Sequence, residues 1–186
     1  MIIAQQKRKD NIAEYLLYMW QVEDMIRANG FDIDAIDRNI ISHYGVDDNK
    51  RTEIRDWWEG LIKMMELEGV KEHGHLQICK NVLIRLHDLH EQLLKSTKFP
   101  QYGAQYFQTL PFIVELRAKM PKAQQVGELE TCFDALYGVL MLRLQGKPIS
   151  EATQKAIASI SYFIGLLAAY FKKDEEKPLF DENDEI

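Results

Sequence analysis

Four ionisable residues stand where helical periodicity calls for apolar ones: Glu23, Arg27, Arg117 and Arg143. Turned at about 100° per residue, Glu23 falls mid-stripe in NIAEYLLYMWQVEDMIRA, residues 11–28, with Arg27 one turn later on the same side. Arg117 falls between Leu110 and Ile113, and Arg143 among Cys132, Leu136 and Val139. A buried charge persists when it is paired, which leaves two readings. In one, an acid and its arginines satisfy each other and fix helix register. In the alternative, the protein is a small-molecule binder or enzyme in which an arginine takes an anionic ligand in a pocket between helices around Glu23, Arg117 and Arg143, with Glu23 orienting it. Tyr15, Tyr18 and Trp20 would wall such a pocket, and any core would use the same aromatics.

Other chemistry is thinner. His73, His75 and Cys79 lie together, and His87 and His90 follow on the same stretch beside Asp88 and Glu91. Along one helix Cys79 and His90 are ~16 Å apart, so the two groups cannot share an ion, and each offers at most two or three ligands. No metal and no cofactor is expected, and the histidines read as surface or hydrogen-bonded groups. Cys79 and Cys132 both fall in apolar helical arcs, where a free thiol behaves as a small hydrophobe. The sequence contains no GxxxxGK[ST], no GxGxxG after a strand, no GxSxG and no HExxH, so no catalytic residue is assigned.

The elements that must position these residues are helices. Length and an ordinary hydrophobic content of 46% predict one domain that folds without disulfide or metal. After the opening stretch, Asn29-Gly30 supplies a stop, and Asp32 or Asp34 caps a short helix to about His43. Asp47 or Asp48 caps a third helix to about Glu68, with Trp57 and Trp58 on its apolar face. A fourth spans about His75–Lys95. STKFPQYG, residues 96–103, reads as a loop with two exposed aromatics, Phe99 and Tyr102. A helix follows from Ala104 to Met120, with a kink or fresh start near Thr109 because Pro111 lacks a backbone donor. Glu128–Gln145 is the sixth helix, and the seventh runs from its Ser150 cap to about Lys173. On that last helix Ala158, Ser161, Gly165 and Ala169 form a small-residue strip, which admits close approach of another helix. The expected cover is internal, by the opening helix. No alternating β-branched run predicts a sheet.

The net charge of -6 resides in the tail: Asp174–Ile186 holds seven acids against one Lys, leaving 22 basic and 22 acidic groups in the body. A neutral body lacks the clustered basic face that phosphate binding needs, so nucleic acid is not an expected partner. Cys79 and Cys132 form no CxxC and no disulfide framework, which fits a reducing compartment, and the N-terminus has no run of signal-peptide length. The longest uncharged stretch, residues 156–171, holds 16 residues, short of the ~20 that span a bilayer. No membrane association is expected, and the predicted location is the cytoplasm.

NIAEYLLYMWQVEDMIRANG, LPFIVELRAKM and ETCFDALYGVLMLRLQ, with the overall length, resemble a family of uncharacterised bacterial proteins classed as a domain of unknown function. The similarity covers residues 1 to about 173. It implies a compact helical protein of bacterial cytoplasm, and it transfers no site residue. The combined expectation is an all-α, single-domain bundle of six or seven helices around a central N-terminal helix, residues 1–173, with an acidic, flexible tail at 174–186. Its expected role is that of a non-catalytic helical interaction protein, self-associating as a homo-oligomer through the small-residue strip or the aromatic segment Phe99 to Tyr106.

Overall fold

A computed structural model of the chain describes residues 2–121 and 126–180. All of its regular structure is helical: α1 (Ile2–Asp10), α2 (Ile12–Ala28), α3 (Ile33–Asn39), a 3-10 turn (Ile41–Tyr44), α4 (Asp48–Leu67), α5 (Gln77–Lys95), α6 (Pro100–Lys119), α7 (Glu128–Leu144) and α8 (Glu151–Glu176). The chain divides into two compact units, Met1–Val82 and Leu83–Ile186, and the boundary falls inside α5.

In the first unit α2 is the most deeply buried element, hiding Ile12, Ala13, Tyr15, Leu16, Met19, Trp20, Val22, Glu23 and Ile26. Asn11 starts it by accepting from the Ala13 and Glu14 amides, which satisfies two of the orphan donors of the first turn. The preceding residues form a helix of their own, α1, packed against α2 and closed by Lys7, Arg8 and Lys9 in its last turn. That helix was not foreseen, because three apolar residues at its start make no readable stripe. Asp32 caps α3 and Asp47 caps α4. Gly30, at φ +63°, takes the left-handed conformation that ends α2. Phe31 follows at φ 61°, a region non-glycine residues seldom enter.

In the second unit α6, α7 and α8 pack pairwise on one another. Ile157, Ile160, Phe163, Ile164, Leu167 and Phe171 form the buried face of α8, as its apolar spacing predicts. The segment 96–103 is not a loop throughout. Pro100 opens α6 at its first turn, where a missing N–H costs nothing, and Tyr102 is fully buried rather than exposed. Nor is there a fresh start at Thr109. The helix runs unbroken through Pro111, and the buried Thr109 hydroxyl bonds back to the Gln105 carbonyl at 2.9 Å and across to Ser159 of α8 at 2.9 Å.

At the C-terminus α8 extends to Glu176. Leu179 N–H donates to Asp174 at 2.9 Å, and the Phe180 ring meets Phe99 at 5.5 Å, so order continues beyond residue 173. The rest of the tail, 181–186, lies outside the described residues. Among the described residues, α8 is the helix long and apolar enough by composition to cross a membrane. Among the described residues no helix covers its small-residue strip: Ala158, Ser161, Gly165 and Ala169 are exposed. A Cβ built on Gly165 meets nothing within 4 Å.

Candidate functional site

Glu23 lies on the buried side of α2, where its helical position puts it, with 0% exposure. A carboxylate there needs donors, and three converge on it. The His75 Nδ1 lies 2.6 Å from Oε2, the Leu76 N–H donates to Oε1 at 3.0 Å, and the Cys79 Sγ–H donates to Oε1 at 3.6 Å. The His75 ring is stacked on Trp20, one turn before Glu23 on α2, with centroids 4.0 Å apart and planes 12° from parallel. Stacking fixes the ring plane and the carboxylate fixes which nitrogen faces inward.

Leu76 precedes α5, and its carbonyl accepts from the Cys79 and Lys80 amides. Its own N–H and that of Gln77, which donates to Glu68 at 2.6 Å, are therefore orphan donors at a helix N-terminus. Two carboxylates of the same unit, Glu23 and Glu68, occupy the positive end of α5, where negative charge is favoured. The site that could have received an external anion holds the chain's own acids.

Arg27, one turn beyond Glu23, grips the segment leading into His75. Its Nε donates to the Lys71 carbonyl at 3.2 Å, one terminal nitrogen to the carbonyls of Val70 and Gly74, and the other to Asp24 at 2.8 Å. The planar fork is thus spent on backbone acceptors 43 to 47 residues away. Gly74, at φ +87°, makes the turn that lets its carbonyl point back at Arg27.

The two other arginines take different places, in the second unit. Arg117 on α6 reaches Glu128 of α7 at 3.8 Å, and Glu128 also accepts from the Tyr106 hydroxyl at 2.7 Å. Arg143 is exposed in the last turn of α7, where a cation suits the helix C-terminus. Within its own unit Glu23 is met by His75, Leu76 and Cys79, whereas Arg117 and Arg143 belong to the other unit. The wheel placed Glu23 inside correctly. It placed Arg143 inside as well, although the apolar arc of α7 ends before its last turn, with Leu144 67% exposed.

Burial sets the protonation of the neighbouring groups. It pushes the Cys79 thiol far above its ordinary 9.0, with the Glu23 carboxylate adding to the effect, so the sulfur stays a protonated donor. Cys132 is pushed up to about 12 in the same way. The Tyr15 phenol is raised by burial, then by Cys79. Tyr18 is raised by burial and by Tyr44. Neither thiol is a nucleophile in such surroundings. His73 is exposed, whereas His75 and His90 are hydrogen-bonded. Among the described residues no group of three or more His, Cys, Asp or Glu side chains is placed to hold a metal ion.

A second region differs in kind. On α6, Ala104, Phe107, Pro111 and Val114 face solvent at helical spacing, with Phe107 67% and Val114 55% exposed. On α8, Ala158, Ser161, Tyr162, Gly165 and Ala169 do the same. An open groove of about 660 Å³ joins the two helices, floored by Tyr102 and lined among others by Gln105, Phe107, Tyr162, Leu166 and Tyr170. The nine exposed residues on these strips carry no charge, in a chain that is 28% charged.

The model of a domain of unknown function, DUF4924, matches residues 1–178. The chain belongs to that family. Its match takes in the described helices from α1 to the end of α8. No curated protein and no solved structure matches this member of DUF4924.

Proposed function

We propose that this DUF4924 protein is a non-catalytic helical interaction protein of the bacterial cytoplasm, and that its partner is a second copy of itself on the α6–α8 face. The observation that carries this reading is the uncharged, apolar strip on both helices. Buried polar groups elsewhere are explained by the fold they hold together. This strip is not, because nothing in the chain requires Phe107, Val114 and Tyr162 to meet water.

A second copy is the occupant favoured by charge. In a two-fold interface each residue near the axis meets its own counterpart, so any charge there would meet its like. The groove lining avoids that by holding none. Size agrees: two adjacent helices about 10 Å across and ~30 Å long present roughly 600 Å² per copy, at the lower end of stable interfaces. The small residues of α8 let the two copies approach closely, while Phe107 and Tyr162 supply aromatic anchors.

Gly165→Leu and Val114→Glu test the proposal. Open space at Gly165 means the monomer accepts Leu without overpacking, and removing a helical glycine adds roughly 0.5–1 kcal/mol of stability. Light scattering of the wild type should give twice the chain mass of 21.7 kDa, and both variants should be folded at the single mass. A wild type that stays at 21.7 kDa up to high micromolar concentration removes the proposal.

A further inference from the structure

Directly beneath the groove lies a titratable ring. His90 of α5 is 4% exposed, and its Nδ1 is 2.6 Å from the Tyr102 hydroxyl. Tyr102 is the groove floor. Three aromatic rings enclose the imidazole edge-on: Tyr102 at 5.7 Å, Tyr106 at 5.1 Å and Phe163 at 5.7 Å. Tyr102 in turn touches Phe163 and Tyr170, so the ring stands at the junction of α5, α6 and α8.

We propose that His90 makes the α6–α8 groove acid-sensitive: a proton taken up by this ring opens the floor at Tyr102. The neutral imidazole needs one donor and one acceptor partner, and the phenol hydroxyl serves Nδ1. The imidazolium carries a second N–H and a full charge into a wall of rings. Groups from each packed element face it. On α5 itself, His87 opposes the charge and the exposed Glu91 favours it. From α6 come the hydroxyls of Tyr102 and Tyr106. From α7 comes Glu128, already engaged by Tyr106 and Arg117, and Cys132 lies by Tyr102. From α8 comes Phe163, which does not titrate.

Burial outweighs the two carboxylates and holds His90 below its ordinary 6.5. The opened form, with an ordinary histidine, therefore binds the proton more tightly than the closed one. The closed groove is favoured fully above pH 6.5 and loses up to tenfold per pH unit below it, until the folded-state value is passed. Between pH 6.5 and 5 this is up to ~30-fold. Acid release of the second copy rests on the self-association reading, whereas the opening itself does not.

Hydrogen–deuterium exchange of α6, corrected for the intrinsic pH dependence, should show protection falling by up to ~30-fold between pH 6.5 and 5 in the wild type. In His90→Gln, which keeps a hydrogen-bonding amide and cannot be protonated, protection should be unchanged over that range. Equal pH dependence in both proteins, or none in the wild type, overturns the proposal. Should His90→Gln fail to fold, NMR titration of the wild-type His90 ring decides it. A midpoint below 6.5 that tracks the exchange supports it, and one above refutes it. Light scattering of the same samples separates the two ideas: a protein monomeric at every pH removes the self-association reading and leaves the exchange result standing.

Discussion

Replacing Glu23 by Ala removes the acceptor shared by the His75 ring, the Leu76 amide and the Cys79 thiol. The Leu76 N–H is buried and loses its partner, which costs ~1–3 kcal/mol. Stranding the partners of a buried carboxylate typically costs ~3–5 kcal/mol, but the His75 side chain is 24% exposed and can be solvated. Weighing both, Glu23→Ala should cost about 3 kcal/mol. Glu23→Gln, which can still accept from Leu76 but offers one acceptor oxygen in place of two, should cost less, about 1–2 kcal/mol. Urea unfolding followed by tryptophan fluorescence reads this cleanly, since Trp20, Trp57 and Trp58 all lie in the unit Met1–Val82. The Trp20 emission should also change in the folded variant, because the stacked His75 loses the contact that orients it. A Glu23→Ala midpoint within ~0.5 kcal/mol of wild type would refute the argument, for it would mean that the carboxylate is not what holds the start of α5.

Arg27→Ala should cost ~2 kcal/mol and speed amide exchange in residues 70–76, and Arg27→Lys should recover little, since one ammonium cannot reach three carbonyls in a plane. Cys79 and Cys132 should resist iodoacetamide in the native protein at pH 8 and react once urea unfolds it. Because both thiols are held protonated in the fold, their contribution to stability is complete below the unfolded value near 9.0 and is lost as pH rises above it. Urea midpoints measured from pH 8 to 10.5 should therefore fall.

The helices were legible because their signals are local. Asn11, Asp32, Asp47 and Ser150 cap helices in the way their side chains allow, and the large residues of the α8 core face follow its helical spacing. Glu23 could be placed inside by the same arithmetic. Its partner could not, since His75 is 52 residues away and nothing in EGVKEHGH marks which histidine turns inward. The Arg27 contacts are invisible for a further reason. They go to backbone carbonyls, whose direction depends on turn geometry rather than on residue type. The outward strip of α6 could have been read. Tyr102, Thr109 and Ile113 satisfy the core alone, so the apolar Ala104, Phe107, Pro111 and Val114 on the opposite side were a surplus that pointed outward.

That surplus separates the two anomalies in this chain. Polar side chains inside the protein and apolar side chains outside it both break the usual pattern, and either can signal function. The inner set is consumed by the fold: Glu23 holds the Leu76 amide at the start of α5, and the half-buried Arg27 holds the segment before it. Removing any of these should be felt as lost stability. Among the described residues the outer set makes no internal contact of comparable weight, so Val114→Glu and Tyr162→Ala should leave the monomer about as stable as before and Gly165→Leu slightly more so. If those substitutions instead unfold the protein without changing its mass in solution, the strip belongs to the fold after all. If they change its mass and nothing else, the α6–α8 face is where this DUF4924 protein acts.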